Sequence, residues 1–403
     1  MTSSLLFLLA TLATLATTLA APPGIQVWFS GSGGCDTDDP TCLDPPSPGT
    51  STISTLLFNS SSGSLLVKSE FTEFNQPAWI TAIPNTAFLL ATETSGSSIH
   101  SLSYNPKDYT LSHLSSSETG DAPVYISLDL TNQYIFSANY MGGSLSVTPI
   151  NKYGMLGESV SYKHFGNGPD MDRQEASHVH GVVTQPSSIS STTSIVYAVD
   201  LGIDRIVWYE FDASLENPEI YLRNGTGGAF NDYPNYVQTQ PGAGPRHIVF
   251  TGNYAHVICE MASHIETFEI DEQTGALLYP AVSIQSTLPS NVEEGFSKAA
   301  EILTNDDNTI VYVTNRGPAE GSNSIAVFYI NPSTGVLTPK QFLSSQGLFP
   351  RGAALTENRM IVGGQDSDNI AVFEVMDDGT LNADNILFNL TNIISPVTFA
   401  TLS

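Results

Sequence analysis

Two residues of opposite charge, Arg246 and Glu260, are spaced so that together they could bind an anion and move a proton. Basic side chains are otherwise scarce in this chain. The 403 residues include 40 acidic residues against 13 basic ones. Arg246 opens an apolar run and Glu260 closes the next one, with a Gly-Asn break between the two runs. This pattern predicts a β-hairpin, whose antiparallel strands bring both residues to the same end. Arginine binds carboxylates and oxyanions through its planar fork of donors, and a carboxylate beside it can move a proton.

Variants of this hairpin recur along the chain. Each copy has two apolar runs, a polar residue at the end of the second run, and a third run with alternating apolar residues. Six copies can be aligned, at residues 76–104, 122–150, 178–211, 244–270, 298–330 and 349–375. The segments 24–32 and 51–70, together with the tail 387–402, supply a seventh unit closed by strands from both termini. The sequence therefore predicts an all-β fold, a seven-bladed β-propeller of four-stranded antiparallel blades that occupies residues 21–403 as one domain.

The predicted blades collect four residues at one end of the central channel. First strands line the channel and carry His180 and Arg246, whereas Glu260 and Arg316 stand at the ends of second strands. We expect the two arginines to hold an anionic group and His180 and Glu260 to serve as an acid/base pair, with their individual roles left open.

Further residues are weaker candidates for the same pocket. His178 shares a strand face with His180, and its alternative role is packing. Glu301 and Arg351 are candidates for rim or substrate contacts, with inter-blade salt bridges as the alternative. Because side chains alternate along a strand, His247 is expected to point away from Arg246 and to be structural.

Several runs resemble a known family, the seven-bladed propeller lactonases, here in a secreted, fungal-like form. The runs are HVHGV at 178–182, GAGPRHIVF at 242–250, CEM at 259–261, YVTNRG at 312–317, FPRG at 349–352 and QDSDN at 365–369. The family includes bacterial 6-phosphogluconolactonases and fungal 3-carboxy-cis,cis-muconate lactonizing enzymes. The resemblance implies lactone chemistry, a small lactone or muconate as substrate and no cofactor. It also places His180, Arg246, Glu260 and Arg316 on the positions of the family's active site.

Three functions remain open from the sequence. The first is a metal-independent lactonase, similar to 6-phosphogluconolactonase, that hydrolyses a small carboxylated lactone of the sugar-acid type. The second is a carboxy-cis,cis-muconate cyclase, since hydrolases and cycloisomerases of the family share these motifs. The third is a secreted, non-catalytic propeller that binds a glycan or a protein, because fold alone does not fix function.

Composition and missing motifs exclude other classes. The net charge of −27 opposes binding to nucleic acid and to anionic membranes. The chain has no P-loop, no dinucleotide fingerprint and no Gly-x-Ser-x-Gly elbow. We expect no metal at the site. A weaker alternative is a cation in the channel, held by the polar residues that end the second strands: Glu93, Asn139, Asp200, Glu260, Asn315 and Gln365.

The N-terminus predicts secretion to the extracellular space. Residues 1–20 are apolar, uncharged and end on small residues, as in a secretory signal peptide. Sequons at Asn59, Asn224 and Asn389 predict N-glycosylation. Cys35 and Cys42 flank an acidic loop near the N-terminus and are predicted to form a disulfide. The remaining cysteine, Cys259, lies in a strand-like run and is expected to be a buried thiol.

Overall fold

The computed structural model has seven antiparallel sheets arranged as the blades of a propeller. It describes residues 25–32, 51–60, 64–188, 190–216, 218–221, 235–292, 295, 297–318, 321–356 and 358–401. Within these residues the only helices are two single 3₁₀ turns, Leu201–Ile203 and Gln365–Ser367. The predicted fold class is confirmed.

The first blade is closed by strands from both ends of the chain, as predicted. Its order is β29-β1-β2-β3, so the C-terminal strand pairs with the first strand. The bounds of these strands are β29 (Pro396–Thr401), β1 (Ile25–Ser32), β2 (Ile53–Asn59) and β3 (Leu65–Phe71).

The other six blades follow one another along the chain. The second and third blades comprise β4 (Ile80–Ala82), β5 (Phe88–Glu93), β6 (Ser98–Asn105) and β7 (Thr110–Glu118), then β8 (Pro123–Leu128), β9 (Tyr134–Asn139), β10 (Ser144–Pro149) and β11 (Val160–Lys163). The fourth comprises β12 (Val179–Pro186), β13 (Thr193–Asp200), β14 (Arg205–Asp212), and an outer edge of two short strands on β14, β15 (Ile220–Tyr221) and β16 (Tyr236–Gln238). The fifth comprises β17 (Pro245–Thr251), β18 (Tyr254–Cys259), β19 (His264–Ile270) and β20 (Leu277–Ser286). The sixth comprises β21 (Lys298–Thr304), β22 (Ile310–Arg316), β23 (Ser324–Ile330) and β24 (Leu337–Ser344), and the seventh β25 (Pro350–Thr356), β26 (Arg359–Gly364), β27 (Asn369–Val375) and β28 (Leu381–Thr391).

The innermost strands form the wall of the channel. Each of β4, β8, β12, β17, β21, β25 and β29 contacts the next in this order, and β29 contacts β4. The middle strands are buried on both faces, and apolar clusters fill the spaces between blades. Between the fourth and fifth blades, for example, Tyr197 and Trp208 pack with Val257 and Phe268. Burial of this apolar surface is the main favourable term in holding the blades together.

A β-bulge interrupts the start of five innermost strands. The pairing register shifts between Pro123 and Tyr125, Val179 and Gly181, Pro245 and His247, Ala299 and Ile302, and Pro350 and Gly352. A bulge leaves an extra residue unpaired and re-aims its side chain. His180, Arg246 and Arg351 are such extra residues, so the bulges decide where three of the candidate site residues point.

Some sequence predictions fall on residues outside those described. These are the signal peptide at residues 1–20, the disulfide between Cys35 and Cys42, and glycosylation at Asn224. Asn59 ends β2, and Asn389 is exposed on β28. No helix in the described part of the chain is long and apolar enough to cross a membrane.

A glycine permits the last blade to meet the closing strand. A Cβ built on Gly352 would lie 2.0 Å from the backbone oxygen of Val397 in β29. We predict that Gly352→Ala lowers the free energy of unfolding by about 1–3 kcal/mol, the usual cost of overpacking. Gly96→Ala is the matched control, because its Cβ would meet only the Glu93 side chain, at 3.4 Å. Thermal or denaturant unfolding of both variants measures the effect, and equal stability would contradict the closure described here.

Candidate active site

The carboxylate of Glu260 is the centre of a buried cluster of arginines. Its Oε1 accepts a hydrogen bond of 2.9 Å from Nη2 of Arg173, and its Oε2 accepts one of 2.8 Å from Nη2 of Arg316. Nε of Arg246 lies 3.1 Å from Oε2. The side chain of Glu260 is only 1% exposed. The predicted meeting of Arg246 and Glu260 at one hairpin end is confirmed, and Arg316 joins them from the neighbouring blade.

Local backbone contacts place this carboxylate. Glu260 follows β18 directly, and its backbone N–H donates to the oxygen of Gly244, just before β17. Its own oxygen accepts from Ala299 at the start of the next blade. Arg246 is in turn fixed by a 2.5 Å hydrogen bond from its Nη1 to the oxygen of Ala300. The fifth and sixth blades therefore hold the cluster jointly.

Arg173 was not among the residues expected from the sequence. It lies in the segment between β11 and β12, which belongs to no repeat, and it donates to the Tyr140 hydroxyl at 3.3 Å as well as to Glu260. Asp200 anchors this segment by accepting hydrogen bonds from the Ser177 hydroxyl at 2.6 Å and the His178 backbone at 2.8 Å. The scarcity of arginine was the one signal that could have drawn attention to Arg173.

His247 faces the site, contrary to the expectation that it points away from Arg246. Its Nδ1 lies 2.9 Å from Oε1 of Glu301 and 3.1 Å from Nη1 of Arg246. The cause is the bulge, because Pro245 pairs with Cys259 and His247 pairs with Ile258, which leaves Arg246 as the extra residue. The strict alternation of a regular strand does not apply there. Glu301 is thereby brought into the site, as the sequence suggested.

Two further histidines lie on the side of the fourth blade. The ring of His180 is 5.2 Å from that of His247 and 5.5 Å from that of Tyr140, both edge-on. His178 stacks on Tyr140 at 4.5 Å. Its Nδ1 lies 3.0 Å from the backbone oxygen of Tyr140, and its Nε2 lies 3.1 Å from Oε1 of Glu175. His180 thus adjoins the arginine cluster, whereas His178 supports Tyr140, the partner of Arg173.

An aromatic wall completes the site. Trp79 and Tyr125, from the second and third blades, stack at 3.8 Å and both contact the ring of His247 edge-on. On the other side the guanidinium of Arg316 lies 5.0 Å above the ring of Phe349, a cation–π contact. Arg351 is the extra residue in the bulge of β25. It is buried and interacts electrostatically with His180, Arg246 and Glu301.

The charges in this cluster determine the protonation of Glu260 and its arginines. Burial alone would raise the pKa of Glu260, but Arg316, Arg173 and Arg246 together hold it well below its usual value. Burial and then the neighbouring Arg316 lower the pKa of Arg246 to about 9. Burial opposes the charge of Arg173, yet Glu260 raises its pKa above the usual value. At neutral pH these three arginines outnumber the one carboxylate that pairs with them, so the cluster attracts anions.

Burial also shifts the pKa values of two imidazoles, those of His180 and His247, and of the Glu301 carboxyl group. Burial and then Arg246 hold the pKa of both His180 and His247 well below the usual value, so both rings are neutral at neutral pH. Burial raises the pKa of Glu301 to about 7, although Arg246 opposes the shift. A neutral imidazole can accept a proton. A carboxyl group that titrates near pH 7 and contacts the imidazole can determine which ring nitrogen carries the hydrogen.

Several of the buried polar atoms that lack a hydrogen-bond partner in the described part of the chain lie in this cluster. They include Nδ1 of His180, Nε2 of His247, and Nε and Nη1 of Arg316. Buried polar groups are nearly always hydrogen-bonded, so such a group of atoms needs a polar ligand or water.

Two of the polar residues that end second strands are held by neighbouring side chains. Asn139 donates to Ser144 and Ser146, and Asn315 accepts from Thr287. The cation in the channel stays a prediction.

Fold and site together define a β-propeller with a buried cluster of arginines, carboxylates and imidazoles on and around its innermost strands. The chain belongs to the family described as lactonase, 7-bladed β-propeller, whose model matches residues 44–387.

Individual relatives agree with this assignment. The chain is 31% identical over 260 residues to the 6-phosphogluconolactonase of Bacillus subtilis, a match that covers 63% of this chain and 66% of that protein. It is 26% identical over 338 residues to the 6-phosphogluconolactonase of Formosa agariphila, covering 81% and 88%. The periplasmic gluconolactonase of Pseudomonas aeruginosa has the same fold, with a TM-score of 0.76, 23% identity, and coverage of 94% of this chain and 99% of that one.

Removal of the central carboxylate tests the cluster. We predict that Glu260→Gln lowers the free energy of unfolding by about 3–5 kcal/mol, because it leaves buried arginines without a counter-charge. The loss should be partly recovered by added sulfate, which can supply negative charge. The control is Glu374→Gln, since Glu374 is 36% exposed and lies 3.9 Å from Arg359, and exposed pairs contribute about 0–1 kcal/mol. Similar losses in both variants, measured by denaturant unfolding, would contradict the central role of Glu260.

Proposed function

We propose that this protein hydrolyses a small carboxylated lactone of the sugar-acid type, in the manner of a 6-phosphogluconolactonase. The observation that carries the proposal is the group of unpartnered buried donors and ring nitrogens on Arg316, His180 and His247. Lactone opening requires a base for water and donors for the oxyanion that forms. Membership of the lactonase family and the names of its relatives support the same chemistry.

The base in this proposal is His247. When ionised Glu301 accepts a hydrogen bond from Nδ1 of His247, Nη1 of Arg246 donates to Ala300 and not to Nδ1, and Nε2 of His247 is the proton acceptor. When Glu301 is protonated it donates to Nδ1 instead, and Nε2 carries the hydrogen. The 2.9 Å contact and the pKa of about 7 for Glu301 support this control of the tautomer.

The reaction then proceeds by attack of water on the lactone carbonyl. Nε2 of His247 takes a proton from water as the new C–O bond forms, and Arg246 and Arg316 stabilise the oxyanion. The ring C–O bond breaks, and the imidazolium returns the proton to the departing ring oxygen. The product is the open hydroxy acid, whose ionisation releases one proton. His180, the adjacent neutral imidazole, is suited to hydrogen-bond the water or the ring oxygen.

Glu260 acquires a positioning role rather than an acid/base role in this account. Its pKa is held well below the usual value, so it carries no proton to donate at neutral pH. It fixes the directions of Arg173, Arg246 and Arg316, and the remaining donors of these arginines are suited to the substrate carboxylate. Secretion, which the N-terminal segment predicts, favours an unphosphorylated sugar-acid lactone as the natural substrate.

Loss of one oxyanion donor should slow turnover. We predict that Arg246→Ala lowers kcat on a responsive lactone by about 10²-fold or more. The assay follows proton release from a panel that includes gluconolactone and 6-phosphogluconolactone, with carboxymuconate tested for cyclisation. Arg359→Ala is the control, because Arg359 begins β26 and pairs with Glu374 outside the site. Unchanged kcat in Arg246→Ala would refute the site, and turnover of muconate alone would favour the cyclase.

The pH profile tests the role of Glu301. Because the ionised form of Glu301 makes His247 a base, kcat/KM of the native protein should rise with pH and level off above about 7. In Glu301→Gln this bend should disappear and the rate should fall, since glutamine does not ionise. A bend that persists near pH 7 in the variant would assign the titration to another group.

A further inference from the structure

We propose a second site, a structural metal site formed by Cys259, His264 and Glu266, that takes a zinc-like divalent cation. One ligand atom from each of these residues lies within 4.8 Å of the other two. Nε2 of His264 is 3.0 Å from Oε1 of Glu266, and Sγ of Cys259 is 4.0 Å from the same oxygen. All three residues are buried.

The strands of the fifth blade bring these side chains together. Cys259 ends β18 and is the cross-strand partner of His264, the first residue of β19. Glu266 follows two residues later, so it shares a strand face with His264. Cys259 packs in the apolar cluster between the fourth and fifth blades, on the side opposite to Glu260. The proposed site is therefore separate from the arginine cluster, although it lies in the same blade.

The charge around these residues favours a cation. Asp204 and Glu266 are both buried, and both interact electrostatically with Cys259. Both carboxylates bind the loop before β17. Asp204 accepts from the backbone of Gly242 at 2.7 Å and Gly244 at 2.9 Å, and Glu266 accepts from Gln240 at 2.9 Å. In the described part of the chain, the one side chain of basic type that is hydrogen-bonded to Glu266 is His264.

The donor set selects the class of metal. Sulfur, imidazole nitrogen and carboxylate oxygen are ligands of zinc, whereas calcium and magnesium take oxygen ligands. Thiolate and carboxylate charges would balance one divalent cation, and small side-chain movements would bring the three atoms to tetrahedral separations around it. Water or a backbone atom would complete the coordination. The metal would join the end of β18, next to Glu260, to β19, and Glu266 on β19 also accepts a hydrogen bond from the loop before β17.

Cobalt(II) is the probe, since a thiolate bound to cobalt gives a charge-transfer absorption in the near ultraviolet. The full chain is treated with a chelator, dialysed and titrated with cobalt(II). We expect one equivalent to produce this absorption and zinc(II) to displace it. Zinc(II) should also raise the Tm of the native protein. Cys259→Ser should lose the absorption and the Tm increase, with affinity reduced by about 100-fold or more, and Glu266→Gln should weaken binding.

The control is His113→Asn, which removes an exposed histidine outside the cluster and should leave both readouts unchanged. Cys259→Ser retains Cys35 and Cys42, so a thiolate absorption that survives in this variant would assign the metal to those residues and overturn the proposal. The absence of any absorption in the native protein at stoichiometric cobalt(II) would overturn it as well. Neither result depends on lactonase activity, so this experiment tests the metal site independently of the proposed function.

Discussion

The site depends on one constraint, the burial of several arginine charges around a single carboxylate. Removing such charges from water is costly unless each is paired and hydrogen-bonded. Glu260 pairs with three arginines at once, and the backbone of Ala300 contributes a further acceptor, but several donors of these arginines stay without a partner among the described residues. The three arginines outnumber the carboxylate that pairs with them, so the cluster favours the binding of an anion.

The propeller provides the geometry for this compensation. Seven first strands meet around one channel, and a bulge near the start of five of them turns an extra side chain out of the regular alternation. Glycines after two of these extra residues allow the neighbouring strand to come close. A Cβ on Gly181 would meet the Arg246 oxygen at 2.7 Å, which shows how near the strands that carry His180 and Arg246 lie. The repeat thus supplies an equivalent position in several blades, and three of these positions carry candidate site residues.

The sequence predicted the parts of the structure that follow the repeat. The seven blades, the closure by both termini and the pairing of Arg246 with Glu260 all result from strand patterns and hairpin geometry. His247 was misjudged because the bulge that breaks the alternation has no distinct signature in one sequence. Arg173 was missed because its segment follows no repeat. The segment is held by hydrogen bonds from Ser177 and His178 to Asp200, and Arg173 itself donates to Glu260.

Recognition of the open acid tests the account most directly, because it asks whether the excess charge binds an anion without requiring turnover. The measurement is a calorimetric titration of the protein with gluconate. We predict one binding site per chain in the native protein, with affinity reduced by about 10-fold or more in Arg316→Ala, the size of a lost charged hydrogen bond. Arg205→Ala should be unaffected, since Arg205 bonds to Gln238 and stacks on Tyr236 outside the cluster. Equal affinity in native protein and Arg316→Ala would contradict the account.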